Sequence, residues 1–189
     1  MDHFINPLEP VQAILIAVAL LICVVTDIRS RKIYNWVTFP AMLAGFLVLI
    51  RLQGAEGALH SVEGFFIGLI SLILMAVLQL LISTPMRLAD VKLLCAVGMI
   101  SGPQFALYAL ILTTIAGGIL GIAFAAQRGV LSHTVRNLKA ALQVSVATQS
   151  TEGLQHMEGA SKAGYMPYAP AIASGALLAW ILMGYNILR

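Results

Sequence analysis

The chain has 189 residues, of which 60% are hydrophobic and 10% charged, with a formal charge of +3. Soluble domains carry about a quarter charged residues, so this composition, with a mean hydropathy of +0.93, belongs to an integral membrane protein. No basic stripe on a soluble face is present, which excludes a nucleic-acid-binding module.

A helix needs roughly 20 apolar residues to cross the hydrocarbon core. Residues 1–10 hold Asp2 and Glu9 but no Lys or Arg. They lack the basic region of a signal peptide, so the first apolar run is expected to stay in the mature chain. In order, the spans are predicted at 11–26, 36–52, 62–82, 88–102, 104–126 and 167–188, all within a single domain over 1–189. Trp36 reads as an interfacial anchor. In the fifth span Gly117, Gly118 and Gly121 would let a neighbouring helix approach closely. Pro170 falls in the first turn of the sixth, where a missing N–H costs little.

The fourth run is short. Fifteen residues reach only about 22 Å, so it is either a short span in a thinned or water-filled region or a re-entrant segment. Charge decides between them. With six spans and the N-terminus outside, the cytoplasmic side holds Arg29, Arg31, Lys32, Arg87, Lys92, Arg128, Arg136, Lys139 and Lys162. A re-entrant segment would move the last four outside, against the positive-inside rule. The fold class is therefore all-α, with six transmembrane helices and a short fourth span.

Residues 127–166 form the one long polar loop, predicted to be cytoplasmic. Leu131, Val135, Leu138 and Leu142 share a helical stripe in it, which predicts a basic amphipathic helix lying on the leaflet between spans five and six. The segment beyond, 148–164, reads as linker. Cys23 and Cys95 lie inside apolar runs and form no Cys-x-x-Cys pair, and His3, His60, His133 and His156 are scattered. No metal and no cofactor is expected.

Within so little charge, two carboxylates stand out. Asp27 ends the first apolar run and Asp90 opens the fourth, on the same side and at the same depth. A carboxylate at a membrane boundary is costly and so a functional candidate. Taken singly, Asp27 reads equally as a helix-end residue held by Arg29, Arg31 and Lys32, and Asp90 as an N-cap. Taken together, two carboxylates sharing a proton supply both the base that activates water and the acid that polarises a carbonyl. Such a pair titrates as a unit, so which one starts as the base is not readable from sequence.

Three blocks carry a resemblance: Asp27-Ile-Arg-Ser-Arg-Lys-Ile-Tyr-Asn35, Asp90-Val-Lys-Leu-Leu94 and Met166-Pro-Tyr-Ala-Pro-Ala-Ile-Ala-Ser-Gly175. In this order they are similar to the type IV prepilin peptidases, intramembrane aspartic proteases that trim prepilin leaders at the cytoplasmic face. The resemblance covers nearly the whole chain. It implies Asp27 and Asp90 as the catalytic pair, and Lys92, Asn35, Arg87 and Tyr168 as substrate or support positions. Lys92 lies two residues from Asp90 and would not face it on a regular helix.

The chain departs from the family pattern Gly-x-Gly-Asp, having Arg87-Leu88-Ala89-Asp90. Ala89 is still small, whereas Arg87 replaces a flexible glycine and sets a cation near the pair. The paired Cys-x-x-Cys motifs of the longer members are absent, which resembles the short, peptidase-only branch of Flp-type (tight adherence) pili. The resemblance implies an endopeptidase of the bacterial inner membrane with no N-methyltransferase activity. Its partners would be a prepilin or pseudopilin with a basic leader and an apolar helix, membrane lipid and the pilus assembly machinery. Two other readings compete: a weakened homologue that binds prepilins as an assembly factor, and a small proton-coupled transporter. The transporter lacks the broken helices or inverted repeat that mark a midplane site.

Overall fold

The computed structural model describes residues 8–82, 88–127 and 167–184, and among these the chain is all-helical. Six helices follow in order: α1 Pro10–Ser30, α2 Asn35–Gln53, α3 Ala55–Ile82, α4 Leu88–Ser101, α5 Pro103–Gln127 and α6 Ala169–Gly184. The predicted amphipathic helix, most of the polar loop, and Arg87 lie outside the described residues. Four helices, α1, α2, α3 and α5, are long and apolar enough to cross a membrane. At 14 and 16 residues, α4 and α6 are shorter.

The boundaries shift at two places. The first helix runs on past the predicted end at 26 to Ser30, closed by Arg31, which takes a left-handed conformation (φ 52°) and donates its N–H to the Asp27 carbonyl at 2.8 Å. Asp27 therefore sits inside the last turn of α1. The third helix begins at Ala55, seven residues before the predicted 62, because polar residues such as Glu56 and His60 occupy its first turns without breaking the helix.

The outer surface is apolar. Val11, Ile14, Val18, Leu21, Val25 and Ile28 form an exposed stripe down the length of α1, and Leu43, Leu47, Ile70, Ile73, Ile115 and Ile119 face outward elsewhere. So much exposed hydrocarbon is untenable in water but is the surface that lipid requires. Trp36 is 67% exposed beside Tyr34, at the end of the bundle where Asp27 and Asn35 lie, as an interfacial anchor should be.

The short fourth helix is the hub. It packs against all five others, and Val91, Leu93, Leu94, Cys95, Ala96, Val97 and Ile100 are buried on it. Its closest neighbour is α3. A Cβ at Gly64 would overlap the Gly98 carbonyl and one at Gly98 the Gly64 carbonyl, so the two backbones touch with no side chain between them.

The last turn of α4 explains how a helix of about 21 Å is accommodated. Carbonyls at a helix end lack intrahelical partners and must find others. Here the Gly98 carbonyl accepts the Gly102 N–H at 2.9 Å, Met99 the Ser61 hydroxyl at 2.8 Å, and Ile100 the buried Gln12 amide at 2.8 Å. Side chains from α1 and α3 thus replace the water that the end of α4 does not reach. Beyond this end lies a recess of about 550 Å³ that includes Gln53, His60, Ser101 and Gln104 in its lining. Gln12→Leu should leave the Ile100 carbonyl unpaired and cost about 1–3 kcal/mol, read as a lowered Tm in detergent.

Candidate active site

The site lies at the opposite end of α4, where the C-terminus of α1 meets the N-termini of α2, α4 and α6. Each of these helix ends brings a polar side chain. Asp27 comes from α1, Asn35 opens α2, Asp90 and Lys92 lie in the first turn of α4, and Tyr168 precedes α6. Both carboxylates are withdrawn from solvent, Asp27 at 6% and Asp90 at 5% exposure. Burying a carboxylate is unfavourable unless it is hydrogen-bonded, so each burial marks a built environment.

For Asp27 that environment is the start of α6. The first N–H groups of a helix need outside acceptors. In this turn the Ala171 and Ile172 N–H groups go to the Tyr168 carbonyl at 2.9 and 3.2 Å, and Pro170 has none. The remaining donor, the Ala169 N–H, goes to Asp27 Oδ2 at 2.9 Å, across 142 residues of sequence. Sequence reasoning missed Ala169, since a backbone donor leaves no trace in residue identity. Pro170 was the available signal, because it marks a helix start with orphan donors around it.

Tyr168 links this strut to the second carboxylate. Its hydroxyl lies within reach of the Asp90 charge, and its ring packs on α5 at Gly117, where a Cβ would overlap the hydroxyl. Adjacent residues thus serve the two aspartates: Ala169 donates to Asp27, and Tyr168 feels the charge of Asp90. Of the three glycines expected to admit a neighbour in α5, Gly117 does so, while Gly118 and Gly121 face open space.

Lys92 donates to Asn35 Oδ1 at 3.2 Å. This exposed bond joins the first turn of α4 to the start of α2. Being exposed, it should contribute little stability: Lys92→Met should change Tm by no more than a degree or two, consistent with a net bond of about 1 kcal/mol or less. Cys23 and Cys95 are both buried and unpaired. Among the described residues no three metal-ligating side chains come together.

Helices sheathed in apolar residues, with two buried carboxylates gathered at one end, define a multi-pass membrane protein with an acidic site at the rim of its apolar core. Residues 14–122, more than half of the chain, match the model of the type IV leader peptidase family. The chain belongs to that family, whose members are proteases acting on leader peptides. The matched segment contains Asp27, Asn35, Asp90 and Lys92, while the strut at Tyr168–Ala169 lies beyond it. No curated protein and no solved structure matches the chain.

Proposed function

We propose that the protein is an aspartic endopeptidase that removes the leader of Flp-type prepilins at the cytoplasmic face of the bacterial inner membrane. Asp27 and Asp90 act as a pair: one carboxylate takes a proton from water while the other, protonated, hydrogen-bonds the scissile carbonyl. In this reading all six helices lie in the bilayer, the short α4 being accommodated because it packs against all five others. The outward N-terminus follows from the Lys and Arg placement.

The observation that carries the proposal is that two buried carboxylates, on helices distant in sequence, lie at one end of the bundle, with the Ala169 N–H on Asp27 and Tyr168 near enough to Asp90 to feel its charge. A transporter would place its acids along a path through the bundle rather than at one end. Tyr168 and Ala169 hold the site, and Lys92 and Asn35 tie two of its helices together.

One sequence feature favours a second reading. Arg87 stands three residues before Asp90 where the family pattern has glycine, and a cation there opposes proton sharing. Purified protein in liposomes, given an Flp-type prepilin, separates the two. Cutting by the wild type supports the peptidase. Binding without cutting, with cutting gained in Arg87→Gly, supports a prepilin-binding assembly factor.

A further inference from the structure

A peptidase for a membrane-anchored substrate must hold an apolar helix as well as a scissile bond, and the described residues offer a place suited to both. Between α1 and α6 runs an apolar groove of about 530 Å³, lined by Ala13, Ala17, Leu21 and Val24 on one side and Ala173, Ala176, Leu177 and Trp180 on the other, with Phe105 of α5 also in the lining. We propose that this groove is the seat of the substrate's apolar helix. The inference rests on the leader-peptidase reading above and adds where the substrate lies.

Continuity with the carboxylates is the first argument. Val24 lies one turn before Asp27 on α1, and Ala173 lies one turn beyond Ala169, the residue whose N–H holds Asp27. The Asp27–Ala169 bond is thus where the two walls meet, and a helix lying in the groove presents its end to the catalytic pair.

Length is the second. The lining extends from Leu8, just before α1, to Val24, a reach of about 22 Å along the helix from Pro10, enough to seat most of an apolar membrane segment.

Shape is the third. Alanines on both walls leave room for a helix backbone to come close, and the exposed side chains of Leu21, Leu177 and Trp180 provide ridges beside them. The outward faces of α2 and α3, with Leu43 and Ile73, lie on helices that contribute nothing to this groove.

The test is site-specific photo-crosslinking in liposomes. A photoreactive phenylalanine analogue replaces Leu21, Leu177, Leu43 or Ile73, each in an Asp90→Asn background that retains uncut prepilin. Prepilin adducts at Leu21 and Leu177 at least tenfold above those at Leu43 and Ile73 are expected. Equal adducts at all four positions, or lipid adducts alone at Leu21 and Leu177, overturn the groove.

Wild-type protein in the same liposomes reports the peptidase separately. If it cuts while the groove gives no prepilin adduct, the groove fails and the peptidase stands. If it does not cut while the groove adducts form, the groove stands and the peptidase fails. A second variant checks the same inference by rate: Ala17→Trp, which fills the groove, should raise KM for prepilin about tenfold with kcat little changed. Ile119→Trp on the lipid face of α5 should leave both unaltered, and an unchanged KM in Ala17→Trp argues against the groove.

Discussion

Asp27→Asn and Asp90→Asn should each lower prepilin cleavage by about 10²–10⁴-fold, the range lost when a positioned acid or base is removed. The substitution is nearly isosteric, so the chemistry changes with little change in shape. An asparagine at 27 keeps a side-chain oxygen that can accept the Ala169 N–H, and the tie between α1 and α6 should survive. Its Tm in detergent should fall within a few degrees of wild type.

Asp27→Ala separates chemistry from anchoring. It removes the acceptor, leaves the Ala169 donor buried and unpaired, and should cost about 1–3 kcal/mol in stability as well as activity. Gel analysis of the cleaved leader, read beside thermal unfolding, distinguishes the two effects. Cleavage within tenfold of wild type in either asparagine variant would rule out the pair as the source of catalysis.

The second large effect is expected at a residue with no chemistry of its own. Gly117→Ala should reduce cleavage by about tenfold or more and destabilise the protein by about 1–3 kcal/mol, the usual range for overpacking a core. The added Cβ would collide with the hydroxyl and ring of Tyr168, whose backbone leads directly into the Ala169 N–H on Asp27. Displacing the ring therefore moves the strut that holds Asp27.

A double-mutant cycle tests that route. If the damage passes through the ring, adding Gly117→Ala to a Tyr168→Leu protein should cost little further, because the shorter side chain vacates the space. Additive losses in cleavage and Tm would show that Gly117 acts elsewhere along α5. Gly118→Ala is the matching control: nothing lies within 4 Å of the position a Cβ would take, so activity should be unchanged.

Composition, the runs that become helices and the family were legible in the sequence, because each is written in residue type. A chain with one charged residue in ten is forced into lipid, and its runs of apolar residues then fix where helices lie. The same scarcity of charge made Asp27 and Asp90 conspicuous. The shortness of α4 was legible too, since it follows from counting residues from Leu88 to Gly102.

What faces what was not legible, and the reason is physical. In a soluble helix the polar side reports which face is buried, but here both the lipid side and the core side are apolar. Ile14 faces outward and Ile16 inward on α1 with no difference in residue type to say so. The sequence drew attention to Gly117, Gly118 and Gly121 alike, yet only packing shows that the first meets Tyr168 and that Gly64 meets Gly98. The hub position of α4, the Gln12 amide on the Ile100 carbonyl and the Ala169 N–H on Asp27 all join residues distant in sequence. Such contacts depend on how the helices close around one another, so tertiary structure alone could decide them.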